Sequence, residues 1–146
     1  MSVVSTVKEI LKEKGNAVWS VAPDISVYEA LNVMAEKNLG AVLVMKEGTL
    51  VGIFSERDYA RNVIQDDRPA RDILVSDLMT REITSVDPQK TMEECMALMT
   101  SKRIRHLPVY ENNQVVGVIS IGDVVKKIIS DKQFTIKVLE NYIAGG

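Results

Sequence analysis

The sequence holds little of what most chemically active sites are built from. Its one cysteine, Cys95, excludes an internal disulfide and any cysteine-rich zinc site. Its one histidine, His106, excludes a histidine-rich metal centre. Aromatic residues are scarce at 5%, with a single tryptophan, Trp19. No apolar run approaches the roughly 20 residues of a membrane span, and the N-terminus lacks a signal-peptide pattern. Eighteen Lys and Arg face 20 Asp and Glu, for a net charge of −2, so no general electrostatic grip on nucleic acid is expected. The absences together lead to the expectation of a cytoplasmic protein that binds neither nucleic acid nor membrane.

What is present is an ordinary globular balance, 46% hydrophobic and 26% charged over 146 residues. That length fits one domain or two half-size units sharing a core. Internal repetition decides between them. Sliding the chain by 65 positions lays Val21-Ala-Pro23 over Val86-Asp-Pro88 and Ser26–Glu29 over Thr91–Glu94. Without a gap, Met34 then meets Met99, Val51-Gly52-Ile53 meets Val116-Gly117-Val118, and Ser55–Asp58 meets Ser120–Asp123. Val7–Leu11 resembles Val75–Met79 at an offset of 68, three residues longer.

Each copy predicts the same elements. Ser26 and Thr91 open capping boxes with Glu29 and Glu94. The helices that follow set Val27, Ala30, Leu31 and Met34, or Met92, Cys95, Met96 and Met99, on one face. Ala41–Met45, Leu50–Phe54, Leu107–Tyr110 and Val115–Ile119 read as buried strands. Lys46–Gly48 and Glu111–Asn113 read as their turns, and Val18–Val21 and Ile83–Val86 as leading strands. A second helix begins after Ser55 and after Ser120, and Gln133–Ile143 predicts a further helix that caps the module or packs on a second subunit. The fold class is therefore α/β (α+β), two tandem β-α-β-β-α repeats packed about a pseudo-two-fold axis. The divisions are 1–70 with the N-terminal helix, 71–131, and a C-terminal helix over 132–146. Stacked repeats would leave two equivalent clefts, where ligands settle.

Two Ser-x-x-Asp pairs, Ser55 with Asp58 and Ser120 with Asp123, stand where a strand gives way to a helix. Such a carboxylate can accept two vicinal ribose hydroxyls, while the serine and the free helix N–H groups meet polar or anionic atoms. Plain helix capping explains the same residues, and on one copy alone is the stronger reading. The densest basic run is Lys102–His106. Lys102 and Arg103 read as a solvated helix end, whereas Arg105 and His106 enter a strand and suit phosphate contact. Gly40 and Ala41 take their places in the first copy, so phosphate affinity is expected mainly at Asp123. There a histidine beside a phosphate would bind more tightly at low pH, the window opening near 6.5. Arg57 is equally a phosphate contact or a salt-bridge neighbour of Asp58. Cys95 and the methionines read as core, and Trp19 as packing before a base-stacking wall.

The pattern resembles the paired cystathionine β-synthase-type (CBS) domain, or Bateman module, in stand-alone form. The resemblance rests on Asp77-Leu-Met-Thr80, Val86-Asp-Pro88, Arg105–Val109 and Val116–Asp123, and on Val21-Ala-Pro23, Gly40–Val44 and Val51–Asp58, over residues 6–130. It implies binding of adenine-bearing molecules such as AMP, ADP, ATP, S-adenosylmethionine or NAD in the clefts. It also implies Asp58 and Asp123 on the ribose with Ser55 and Ser120 assisting, and Arg105 and His106 toward phosphate. Val18, Leu39, Ile83 and Ile104 would wall the base, and a disc-shaped homodimer is common. A regulatory nucleotide sensor, acting on an unidentified protein, is the first reading. A structural or partner-binding oligomerisation module with empty clefts is the second. An enzyme is disfavoured, because no nucleophile–base pair is evident and the repeats and caps use up the chain.

Overall fold

The computed structural model describes residues 4–65 and 67–145, so residues 1–3, 66 and 146 of the expected divisions lie outside it. Its chain order is α1 (Val7–Lys14), β1 (Ser20–Val21), α2 (Val27–Lys37), β2 (Ala41–Lys46), β3 (Thr49–Ser55) and α3 (Glu56–Gln65). After a 3-10 turn (Ala70–Asp72) come α4 (Val75–Leu78), α5 (Met92–Lys102), β4 (His106–Glu111), β5 (Gln114–Ser120) and α6 (Ile121–Gly145). The mixed α and β content with two repeated β-α units is as expected.

In space the chain forms two compact units that do not follow the division at 70/71. One is Val18–Thr84; the other joins the described residues up to Ala17 to those from Ser85 onward. The first unit is centred on a core of Val27, Ala30, Met34, Val42, Val44, Phe54, Ile73 and Val75. The second is centred on Val7, Ile10, Leu11, Met92, Cys95, Met99, Leu107, Val109, Ile119 and Val124. The segment before each copy thus completes a hairpin other than its own. Helix α1 packs on β4–β5, and the α4 segment packs on β2–β3.

Local chemistry explains the shared elements. Thr91 and Glu94 close both bonds of a capping box at α5, and the Ser26 hydroxyl accepts from the Glu29 N–H at α2 (3.1 Å). Both helices end on a left-handed residue, Asn38 (φ 57°) and Arg103 (φ 54°). The next N–H then bonds back to Met34 (2.8 Å) and Met99 (3.0 Å), a Schellman closure. The hairpins turn on two residues, Glu47-Gly48 and Asn112-Asn113, all with positive φ, as a right-handed strand twist requires. The hairpin strands therefore run one residue further into each turn than the apolar runs alone predict, whereas the leading strand expected over Val18–Val21 is only Ser20–Val21.

Two expectations are corrected. Ile83–Val86 is not a strand: only Val86 bridges Val109, in parallel. The cause is Pro108. Its counterpart Leu43 donates its N–H to the Trp19 carbonyl (3.4 Å), extending the β1–β2 pairing, whereas proline has no N–H to extend the pairing upstream of Val86. Nor is the tail a separate helix, since α6 runs 25 residues unbroken through 131/132. Asp131, on that stretch, accepts a bond from the Ser5 hydroxyl. Lys127 of α6 also reaches Glu13 (2.8 Å) and Glu9 (3.8 Å) of α1.

Gly52 and Gly117 occupy equivalent places on β3 and β5 and admit the incoming segment. A Cβ on Gly52 would meet Met79 Sδ at 2.6 Å and the Thr80 carbonyl oxygen at 3.0 Å; one on Gly117 would meet Leu11 Cδ2 at 2.6 Å. Backbone cannot yield as a leucine tip can, so Gly52→Ala should cost about 1–3 kcal/mol of unfolding free energy, and Gly117→Ala less. Denaturant titration of both variants checks the order. Equal, negligible losses would show that neither seat is tight.

Candidate functional site

The two Ser-x-x-Asp turns are built alike. Each serine ends a strand and each aspartate lies in the first helical turn, where unpaired N–H groups and the helix dipole favour a carboxylate. The Ser55 N–H and hydroxyl donate to Asp58 Oδ2 (2.9 and 3.0 Å), and the Asp58 N–H donates back to Ser55 Oγ (3.3 Å). The Ser120 N–H donates to Asp123 Oδ2 (2.8 Å), and the Asp123 N–H to Ser120 Oγ (3.2 Å). The reciprocal cap is thus real in both copies. It engages one oxygen of each carboxylate, and a carboxylate has about four acceptor sites. Capping and ligand binding are compatible.

The surroundings differ. Asp58 Oδ1 accepts from the Thr80 hydroxyl at 3.3 Å. Asp123 Oδ2 accepts instead from Lys14 Nζ at 2.7 Å, and the same ammonium donates to the Val118 carbonyl at 2.9 Å. Burial pushes the Asp123 carboxyl up, but the Lys14 and Ser120 hydrogen bonds and the Lys14 charge outweigh it and leave it below its ordinary value. The β4–β5 register sets His106 across from Ser120. Burial lowers the His106 pKa, the positive charges of Lys14 and Arg105 lower it further, and Asp123 opposes them. A cavity of about 350 Å³ adjoins this corner, lined by Ile10, Glu13, Lys14, Asp123, Lys126, Lys127 and Ser130.

The structure brings Ser55 and Asp58 together with Thr80, and Ser120 and Asp123 together with Lys14 and His106. Arg105 is exposed, its carbonyl accepting the Ile121 N–H (2.8 Å), as that of Gly40 accepts from Glu56 (3.0 Å). Arg57 is exposed in the first turn of α3. Leu39 and Ile104 pack half-buried against their respective cores, and Val18 and Ile83 are half-buried outside them. Trp19 is 43% exposed with Lys37 Nζ 4.3 Å from its ring centre, a surface cation–π contact rather than core packing. Cys95 is buried, its thiol pushed up to about 11 by burial, as a core residue should be. Among the described residues no three His, Cys, Asp or Glu gather as for a metal. Sequence reading missed Lys14 and Thr80. The offset of 68 was the available signal, because it sets both just beyond the seated Leu11 and Met79.

Comparison with known proteins points one way. The family model for the CBS domain matches residues 6–65 and 75–130. The CBS domain-containing protein CBSX3, mitochondrial, of Arabidopsis thaliana is 36% identical over 97% of this chain and 73% of its own. The crystal structure of the CBS domain protein NE2398 superposes with a TM-score of 0.83 at 47% identity, over 87% of this chain and 99% of that one. The CBS domain pair of protein MJ0100, solved with 5'-methylthioadenosine and S-adenosyl-L-methionine, shares the fold (TM-score 0.75, 23% identity, 89% and 99% covered).

The half-buried, cation-flanked histidine has a measurable consequence for stability. With its folded pKa below 6.5, His106 prefers to be neutral, so folding sheds a proton on the acid side. Its contribution is complete above pH 6.5 and is lost as pH falls toward the lowered value. Denaturant titrations from about pH 7 to about pH 5 should show wild type losing stability more steeply than His106→Gln. Parallel profiles would mean that the imidazole is not constrained. Any histidine-linked ligand window correspondingly opens below the pH 6.5 expected from sequence.

Proposed function

This chain belongs to the CBS-domain family, and on that premise we propose that it is a regulatory module binding adenine-bearing ligands, of the AMP, ADP, ATP or NAD class, at its two Ser-x-x-Asp turns. The observation carrying the reading is the corner where Asp123 meets Lys14 and His106. It joins a carboxylate suited to a ribose diol with an ammonium and an imidazole suited to phosphate. Ser120 and Asp123 take the ribose and Arg105 and His106 the phosphate, at the positive end of the α6 dipole. Ser55 and Asp58 form the corresponding ribose site of the other unit, with Arg57 next to Asp58 in the chain as its phosphate contact. Leu39, Ile104, Val18 and Ile83 supply apolar surface for adenine. The adenosine-bearing ligands named for MJ0100 carry the same diol and base.

The two sites divide by ligand charge. Gly40 and Ala41 leave the Asp58 site without the strand-edge cations of the Asp123 site. Phosphorylated ligands favour Asp123, and less charged adenosyl ligands suit Asp58. The role is binding and signalling to a regulated protein, with no catalytic step. Among the described residues no helix is long and apolar enough to cross a membrane. We take the compartment as cytoplasmic from composition, while one relative is named as mitochondrial.

A homodimer is part of the proposal. On α6, Phe134, Ile136, Leu139, Tyr142 and Ile143 are 55–82% exposed, and on α3 Ile64 is 87% exposed. Faces of this kind favour self-association. They also favour the second reading, an oligomerisation module.

Calorimetry with AMP separates the two readings. Asp123→Ala should weaken binding by about 1–3 kcal/mol, the range for a lost charge-assisted hydrogen bond. Unchanged affinity would overturn the assignment of Asp123, and no AMP binding by wild type would leave the scaffold reading. Light scattering at micromolar concentration should return a dimer mass, and a monomer mass would remove the homodimer.

A further inference from the structure

Lys14 is the last residue of α1, with Gly15 at φ 94° ending the helix behind it. From that end its ammonium reaches Asp123 Oδ2 (2.7 Å) and the Val118 carbonyl (2.9 Å). Oδ2 is also the oxygen that caps Ser120. A ribose diol approaching Asp123 therefore meets a carboxylate already serving two donors, one of them a full positive charge. We propose that Lys14 sets the charge preference of this site by exchanging partners, holding the carboxylate when the site is empty and turning to the ligand's anionic group when a ribose takes Asp123. The inference rests on the ligand reading above and adds a residue and a selection rule to it.

Three observations carry it. The pair is partly exposed, with side-chain exposures of 42% for Lys14 and 25% for Asp123. Partly exposed pairs of this kind contribute little to stability, so a ligand can displace this one. Lysine is a compact charge on a flexible stem, and it can change partner without moving the backbone. The cavity beside it is lined by Lys14, Lys126 and Lys127 against the carboxylates Glu13 and Asp123, with Lys127 already paired to Glu13, so a ligand anion there is met mainly by Lys14 and Lys126. The other unit lacks the device: at the offset of 68, Glu82 stands in place of Lys14, and a neutral hydroxyl from Thr80 meets Asp58. An uncharged nucleoside that takes Asp123 Oδ2 competes with Lys14 and offers the ammonium nothing in return. A nucleoside monophosphate competes for the same oxygen and supplies a new partner.

The test is calorimetric titration of the full chain with AMP and with adenosine, in wild type, Lys14→Met and Lys14→Arg. In Lys14→Met the AMP-to-adenosine affinity ratio at the Asp123 site should fall by about tenfold or more, the loss of one charged phosphate contact. Adenosine binding itself should rise by up to about fivefold as the competing cation is removed. Lys14→Arg, which keeps the charge, should retain most of the ratio. Wild type and Lys14→Met with the same ratio would overturn the role of Lys14 and leave the ligand reading standing. Binding of neither ligand to wild type would overturn both. The Asp58→Ala background confines the titration to the Asp123 site.

Discussion

The structure depends on a close approach that only glycine permits. On β3 and on β5, at equivalent places in the two copies, a missing Cβ lets Met79 and Leu11 lie directly over the strand. Everything near the candidate sites hangs from these two seats. With Met79 in place, Thr80 pairs with Ile53 through both backbone bonds (3.0 and 2.8 Å), and its hydroxyl comes to Asp58. With Leu11 in place, α1 lies along β5 and α6 and ends with Lys14 on Asp123. A side chain at Gly52 would push on the Thr80 backbone and lift its hydroxyl off Asp58, whereas one at Gly117 would first displace the Leu11 tip.

The backbone device is the same twice, and the charges it delivers are not. A neutral threonine hydroxyl comes to one aspartate and a lysine ammonium to the other. The strand edge opposite Ser120 carries His106 after Arg105, where the first copy has Ala41 after Gly40. Charge selection in this account comes from which residue rides on a common scaffold, at little cost to the fold. The burial that lowers the His106 pKa is the cost of placing an ionisable ring at a strand edge beside two cations.

Much of this was legible in the sequence because duplication prints each device twice. The hairpins, the N-caps (a full capping box at Thr91, only its serine half at Ser26), the buried faces of α2 and α5 and the two Ser-x-x-Asp turns all follow from local rules acting within a few residues. What was not legible depends on partners far along the chain. Lys14 lies 109 positions from Asp123, and no local periodicity links them. The exchange of flanking segments between hairpins was hidden for the same reason, and so the compact units depart from the division at 70/71. Pro108 was visible and its effect was derivable, since a proline on β4 cannot extend a parallel ladder. The unbroken α6 was harder to read. Nothing in Ile121–Gly145 except the middle residues Ser130-Asp-Lys-Gln133 suggested a break, and Asp131 is held there by Ser5.

The central claim is that an adenine nucleotide sits at the strand-to-helix turns, and amide shift mapping during a titration with AMP tests it most directly. The account predicts saturable shifts in the amides of Ser120 through Asp123 and at Arg105 and His106, with the Ser55–Asp58 turn responding at higher ligand concentration or not at all. A titration that moves no resonance at either turn, or moves only residues on the exposed end of α6, would contradict it.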